Sequence, residues 1–177
     1  VENVPLNEGT RVNRFRSEDM PEGPDAGRPL NVTFAAGDYF RTMAIDVVDG
    51  RPFETADHVS ALGNVVVSRS VARLLWPRQH AVGRRLQEQG TTAWHTVVGV
   101  VEDVMQYEFR DTPQALVYYP LVGPTPTSWT ITTPAYVIKT VRAEVIAPDV
   151  RALIRMVAPE APMYRVFTMA GLAADSM

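Results

Sequence analysis

The sequence predicts an α+β fold, because segments with the two-residue periodicity of strands alternate with segments that have the periodicity of helices. The clearest example lies in the last third of the 177-residue chain, where an amphipathic helical pattern stands between two apolar runs typical of strands. A chain of this length can form one domain or two small lobes, and it can bury about 70% of its unfolded surface without disulfides or metals. We therefore expect a stable core built from mixed strands and helices.

The first 70 residues contain one irregular segment followed by short elements. Residues 1–29 are polar and rich in turn-forming residues, so they predict an irregular stretch. Residues 30–36 predict a strand, and Asp38 is a good N-cap for the short helix that follows. A turn at Asp49-Gly50 closes a further short strand, and β-branched residues predict another strand over 64–70.

The middle of the chain predicts a short helix and three strands. Ser70 is predicted as the N-cap of this helix, and Pro77 ends it at Trp76. The apolar stripe of the helix consists of Val71, Leu74 and Leu75. The strands that follow cover residues 84–87, 94–104 and 115–121, the last ending at Pro120. The strand over 94–104 is apolar on both faces at its centre, which predicts a central strand with Val98 and Val100 almost fully buried.

The last third predicts a β-α-β unit. The apolar runs 135–141 and 163–169 are predicted strands, and the helix between them begins near Pro148 and ends before Pro159. Its apolar residues follow the i, i+3, i+4, i+7 spacing of a buried helix face, so Leu153 and Ile154 are predicted core residues. The crossover should be right-handed, and residues 170–177 begin a further helix.

Composition excludes several classes of protein. The net charge is −3, which argues against a nucleic-acid-binding protein, and the absence of cysteine excludes disulfides, thiol catalysis and cysteine-ligated zinc. The chain has no signal peptide and no apolar run long enough to cross a bilayer. Because its first residue is not Met, we expect a processed protein or an excised segment.

The sequence contains no recognisable catalytic or metal-binding motif. His58, His80 and His95 lie far apart, and Asp57-His58 is better explained as a surface pair than as half of a metal site. Asp103 and Glu108 follow the predicted central strand, a position where ligands often bind in α/β enzymes. An enzyme that uses one of these carboxylates therefore stays open as an alternative.

Four arginines crowd into a short segment that could be taken for a phosphate site. They are Arg73, Arg78, Arg84 and Arg85. Arg73 points away from the apolar stripe of its predicted helix, and Arg84 and Arg85 are neighbours on a strand, so they face opposite ways. The charges do not converge on one face, which favours a solvated rim at a corner of the fold.

Eight motifs in order resemble the MacB-like periplasmic core domain of ABC-transporter permeases of the MacB/FtsX type. They are GDYFRTM, GRPFETAD, VVVSRSVARLLWP, AVGRRL, WHTVVGVVEDV, VYYPL, VIKT and DVRALIRMVAPEAPMYRVFTM. The Tyr-Phe, Gly-Arg-x-Phe, Trp-Pro and Val-Val-Gly-Val-Val groups carry most of the resemblance. It covers about residues 30–177.

The resemblance implies an extracytoplasmic, periplasmic domain of a membrane protein. It implies two lobes, a porter-like lobe from residues 1–45 with 133–177 and a smaller α/β-rich lobe from residues 46–132. It also implies that the domain has no catalytic residues, metal or cofactor, and that it couples membrane-helix motion to export. The implied partners are a cytoplasmic ATP-binding subunit or domain, a periplasmic adaptor protein and a second copy of the parent. A cleft between the lobes leaves a second hypothesis open, an extracytoplasmic small-molecule sensor.

Overall fold

The computed structural model describes residues 11–23, 26–59, 63–104, 114–121, 135–143, 145–160 and 166–175. The strands in this part of the chain are β1 (Arg11–Ser17), β2 (Arg28–Ala35), β3 (Val47–Gly50), β4 (Asn64–Ser68), β5 (Arg85–Glu88), β6 (Trp94–Val101) and β7 (Leu116–Pro120). The helices are α1 (Tyr39–Thr42), α2 (Arg69–Leu75), α3 (Ala147–Val157) and α4 (Met169–Asp175), and a 3-10 turn covers Thr55–His58. The α+β class predicted from the sequence is therefore confirmed.

Six of the strands close into a barrel. The sheet has the order β3-β6-β4-β7-β2-β1-β5, and β5 also pairs with β6. The ring β6-β4-β7-β2-β1-β5 is thus complete, with β4–β6 and β2–β7 parallel and the other pairs antiparallel. β3 and β5 share one edge of β6, since β5 pairs with residues 94–96 and β3 with residues 99–101. Closure removes most of the free edges that an open sheet would expose.

Two apolar cores lie on the two faces of this sheet. Alternate residues of each strand point into the barrel, where they form the first core together with residues of α2. Its members include Phe15, Val32, Phe34, Val65, Val67, Val71, Leu75, Trp76, Leu86, Val97 and Tyr119. The second core lies outside the barrel, where α1 covers β4 and β7; it includes Tyr39, Phe40, Phe53, Val66 and Tyr118.

Most of the elements predicted between residues 30 and 121 are confirmed, with local corrections. α2 ends at Leu75 before Pro77 as predicted, but its N-cap is Ser68, whose hydroxyl accepts from the Val71 amide at 3.5 Å. Leu74 is 43% exposed, so the buried side of α2 is narrower than the predicted stripe. Asp38 precedes α1 but makes no capping bond; its carboxylate pairs with Arg41 instead.

The prediction for Val98 is wrong, and a β-bulge is the reason. Along the β4–β6 ladder Val65 pairs with Val97 and the next residue, Val66, pairs with Gly99. Val98 is therefore the extra residue of the bulge, and it is half-buried. Val100, beyond the bulge, is buried as predicted.

The prediction of an irregular stretch over residues 1–29 is wrong for residues 11–17, which form β1. Residues 1–10 lie outside the described residues. The outer face of β1 carries charged side chains, so its composition resembles that of a loop. Phe15 and Ser17 point into the barrel, and hydrogen bonding to β2 and β5 makes this polar segment a strand.

Of the predicted β-α-β unit, only the helix is present among the described residues. α3 is present, but residues 135–140 have no regular structure, and the second predicted strand is absent from residues 166–168. Residues 163–165 lie outside the described residues. The apolar alternation at 135–141 shows that this segment suits a strand, but a strand also needs a neighbour to pair with, which a local pattern cannot supply.

The barrel also bears on the predicted division into lobes. β1 and β2 lie within residues 1–45 of the predicted porter-like lobe, yet they pair with β5 and β7 of the segment 46–132 in one sheet. The boundary near residue 45 therefore does not separate two sheets among the described residues. The two-lobe arrangement itself stays a prediction.

Leu153 is expected to be unimportant for stability, contrary to its prediction as a core residue. It is 55% exposed, and no residue of α3 is buried. Replacement by alanine is expected to change the free energy of unfolding by less than about 0.5 kcal/mol, as at other exposed sites. Chemical denaturation checks this against Leu75→Ala, whose side chain is buried on α2 and whose loss should cost about 2–3 kcal/mol. Equal losses for the two variants would contradict the exposure of Leu153.

Candidate functional site

The GRPFETAD segment forms a corner that crosses the end of β6. Gly50 adopts a φ of 68° and Gly99 lies opposite it in the ladder. A Cβ at Gly99 would lie 2.0 Å from the Arg51 carbonyl oxygen, so only glycine allows the two backbones to approach this closely. Phe53 then packs beside Phe40, with ring centroids 6.0 Å apart. The Gly-Arg-x-Phe and Val-Val-Gly-Val-Val groups thus contact each other and build one corner.

Asp57 anchors this corner through a network of hydrogen bonds. Its buried carboxylate accepts two hydrogen bonds from Arg51, at 2.6 and 3.1 Å, one from Asn64 at 2.7 Å and one from the Glu54 amide at 2.8 Å. Burial opposes the negative charge, but these donors outweigh it and hold the pKa of Asp57 well below its ordinary value. The carboxylate is fully occupied by these four hydrogen bonds. The prediction of Asp57-His58 as a surface pair is wrong for Asp57, because its side chain is buried beneath the corner.

Two of the four arginines of the 73–85 segment form ion pairs with acidic residues of the β1–β2 connection. Arg84 contacts Asp19 at 3.1 Å and Arg85 contacts Glu18 at 2.9 Å. On the same outer face, Arg16 forms an ion pair with Glu22 at 2.7 Å. The Trp94 ring lies between two arginines, with its centre 4.8 Å from the Arg16 guanidinium and 5.5 Å from the Arg85 guanidinium. These pairs attach the β1–β2 connection to β5. Arg73 and Arg78 are exposed and lie on other elements, so the four arginines form no common anion site.

Asp103 has a structural role at the start of α2. Its two carboxylate oxygens accept from the Ser70 amide at 2.8 Å and from the Ser70 hydroxyl at 2.7 Å. This arrangement stabilises the helix N-terminus, where backbone N–H groups lack partners and a negative charge is favourable. Glu108, the other candidate carboxylate, lies outside the described residues.

The three histidines occupy unrelated environments. His80 is exposed, with Nδ1 3.6 Å from an Asp49 oxygen, and His58 packs its ring 5.8 Å from that of Phe53. His95 is buried inside the barrel, where its Nδ1 lies 3.2 Å from the Gly63 carbonyl oxygen. In the part of the chain that the structure describes, no three His, Asp or Glu side chains are grouped as a metal site would require.

A buried carboxyl group that was not predicted from the sequence lies at one end of the barrel. Glu88 is 8% exposed, and one of its carboxyl oxygens accepts a hydrogen bond from the Asn13 side-chain amide. Its other carboxyl oxygen is buried without a hydrogen-bond partner. Burial raises the pKa of Glu88, and the hydrogen bond from Asn13 offsets part of this. Glu88 lies two residues after Leu86, so both side chains point to the same face of the strand. If the predicted strand 84–87 were extended by one residue, this spacing would predict that Glu88 is buried.

A groove of about 380 Å³ lies beside this carboxyl group, between the β1–β2 connection and the turn from β5 to β6. Its lining includes Arg16, Glu22, Gln87, Glu88 and Trp94. The Arg16 guanidinium is already held by Glu22 and by the Gln87 amide oxygen at 2.9 Å, so the opposite charges in the groove neutralise each other. The groove therefore offers no free cation to a ligand, and its remaining acidic group is the Glu88 carboxyl.

Comparison with known protein families identifies the family of this chain. The family model described as "MacB-like periplasmic core domain" matches residues 3–161. The chain belongs to the MacB-like periplasmic core domain family. No helix in the described part of this MacB-like domain combines the length and apolar character that a bilayer crossing needs. A search of curated proteins finds no match.

Two solved structures extend the comparison of this MacB-like domain. The periplasmic region of MacB from Actinobacillus actinomycetemcomitans is similar with a TM-score of 0.51 and 16% identity, over 82% of this chain and 65% of that one. The extracellular domain of the noncanonic ABC-type transporter YknZ from Gram-positive bacteria has a TM-score of 0.43 and 19% identity, over 62% of this chain and 54% of that one. The domain thus spans between half and two thirds of the length of these structures, and its likeness to the MacB region concerns the fold.

Proposed function

We propose that this domain is the non-catalytic extracytoplasmic part of an ABC-transporter permease, where it couples movement of the membrane helices to substrate export or to periplasmic partners. The family match over residues 3–161 carries the proposal, since the MacB periplasmic region is similar in fold. The candidate catalytic groups support it. Asp57 and Asp103 are occupied by structural hydrogen bonds, and the described histidines lie in separate environments.

The proposed partners follow from the family. They are a cytoplasmic ATP-binding subunit or domain that acts through the membrane helices, a periplasmic adaptor protein, and a second copy of the parent permease. The energy source would be cytoplasmic ATP hydrolysis, because the sequence of this domain contains no phosphate-binding loop motif. Apolar helices of about 20 residues on both sides of this domain in the parent protein would agree with the proposal.

The parent transporter provides the test. Gly99→Ala, which should unfold the domain because the added Cβ meets the Arg51 backbone, is expected to abolish export while ATP turnover continues. Gly23→Ala is the matched control, since a Cβ at Gly23 meets nothing within 4 Å. Both measurements are normalised to the amount of transporter in the membrane. Normal export by a transporter whose domain is shown to be unfolded would contradict the proposal, and so would ATP hydrolysis by the isolated 177-residue chain.

Relative lobe motion is a finer part of the proposal. The lobes would move as units, with α3 and α4 in the lobe that includes residues 133–177. An engineered disulfide between the barrel and α3 tests this in the parent transporter, and the absence of native cysteine in this segment simplifies the experiment. Export should stop on oxidation and return on reduction. Normal export with the disulfide formed would show that the domain acts as a static docking platform.

A further inference from the structure

His95 lies at the position where the barrel closes. It pairs directly with Leu86 in the β5–β6 ladder, which has only three residue pairs, and on the other edge of β6 its neighbour Thr96 donates to the Gly63 carbonyl at 3.1 Å. The first half of β6, residues 94–97, is thus held by β5 on one side and by the start of β4 on the other. The second half, residues 99–101, is held separately by β3 and β4.

The imidazole of His95 is enclosed by groups that cannot balance a positive charge. It is 1% exposed, and its ring lies edge-to-face with Tyr119 at a centroid distance of 5.0 Å. Nδ1 faces the Gly63 carbonyl oxygen, and no carboxylate among the described residues lies within ion-pair distance of the ring. A buried cation without a counter-charge is costly, so the neutral form is favoured.

The other groups that face this part of the barrel do not supply the missing charge. β5 contributes Leu86 and, at the barrel end, Glu88, whose carboxyl group has one oxygen bonded by Asn13 and the other without a partner, and which forms no ion pair with His95 among the described contacts. β7 contributes the Tyr119 phenol. β1 contributes two uncharged polar residues, Asn13 and Ser17. The apolar core inside the barrel adds no charge; it includes Phe15, Val32, Phe34, Val65, Val67, Val71, Leu75, Trp76 and Val97.

We propose that His95 is an acid-sensitive latch of the barrel, whose protonation releases residues 94–97 from β5 and β4 while residues 99–101 remain paired. The imidazolium has to reach water or a new acceptor, which separation of the first half of β6 from its neighbours would allow. This inference rests on the barrel geometry and does not depend on the proposed transport role.

The direction of the pH effect follows from linkage. Burial lowers the pKa of His95, and the hydrogen bond to Gly63 offsets this only in part. The open form, with a pKa of about 6.5, therefore binds the proton more tightly, so closure weakens as the pH falls below about 6.5. Glu88 acts in the opposite direction, because its raised pKa favours the closed form at low pH. Glu88→Gln removes this opposing contribution.

Hydrogen exchange of the 177-residue chain between pH 7.5 and 5.5, corrected for intrinsic rates, tests the latch. The reporter amides belong to Gly83, Thr96 and Val97, whose N–H groups form hydrogen bonds that hold the first half of β6. The comparison amides belong to Arg51 and Glu102, which donate to the carbonyls of Val98 and Asp46 beside the second half of β6. At pH 5.5 the reporters should open up to about tenfold more often than at pH 7.5, with little change at the comparison amides. An equal increase at both sets would overturn the proposal.

Histidine variants separate the latch from other titrations. His95→Gln should remove the acid sensitivity of the reporter amides, whereas His80→Gln, at an exposed histidine, should retain it. Persistence of the effect in His95→Gln would overturn the proposal. If His95→Gln does not fold, NMR titration of the wild-type imidazoles decides, because a His95 pKa at or above 6.5 in the folded chain contradicts the latch.

Discussion

Alanine at position 99 is expected to prevent stable folding of the domain. The added Cβ would lie 2.0 Å from the Arg51 carbonyl oxygen and 3.0 Å from its carbonyl carbon, both backbone atoms. The corner cannot move away easily, because the Arg51 amide donates to the Val98 carbonyl at 3.0 Å and its side chain is held by Asp57. We expect a loss of about 3 kcal/mol or more in the free energy of unfolding, at the upper end of overpacking effects.

Urea denaturation measures this effect, and Gly23→Ala provides the control. Both glycines lie outside the left-handed region, so the comparison isolates the steric contact from backbone strain. The control variant should remain within about 0.5 kcal/mol of the wild type. A Gly99→Ala variant as stable as Gly23→Ala would mean that the Arg51 backbone does not approach β6 this closely.

Asp57→Asn is expected to have the second large effect, a loss of about 3 kcal/mol. The substitution keeps the shape of the side chain, but it removes the charge that balances Arg51 and places an amide NH₂ among donors from Arg51, Asn64 and Glu54. The control is Asp38→Asn, whose ion pair with Arg41 is exposed and should contribute little. Denaturation curves that coincide for the two variants would show that the buried network does not support the fold.

The same carboxylate predicts how the domain responds to strong acid. The pKa of Asp57 is lower in the folded chain than in the unfolded chain, so its stabilisation is present above the unfolded value of about 4 and is lost as the pH falls further. The difference in stability between the wild type and Asp57→Asn should therefore be constant between pH 7 and 5 and decrease below pH 4. A difference that grows on acidification would contradict the low pKa.

Several features could be predicted from local sequence, because they depend on residues close together in the chain. The β-branched run before Ser68 predicts β4, and Pro77 ends α2 since the preceding residue is disfavoured in the α region. The amphipathic spacing predicts α3 even though none of its side chains is buried. The family, too, could be inferred from the order of short motifs, and the family match confirms it.

Other features depend on contacts between distant residues. β1 resembles a loop in composition and becomes a strand only because β2 and β5 supply hydrogen-bonding partners. The segment 135–140 has the alternation of a strand but no described partner. The bulge that leaves Val98 only half-buried arises from the register between β4 and β6, which no single strand specifies.

The sequence by itself determined the α+β class, most element positions between residues 30 and 121, and the family. Only the tertiary structure decided that the sheet closes into a barrel, that Asp57 and Asp103 are structural, and that His95 and Glu88 are enclosed. The physical reason is that propensity and amphipathic spacing are local properties. Strand pairing and the solvation of a charged group are set by partners up to 75 residues away, as in the contact between Asn13 and Glu88.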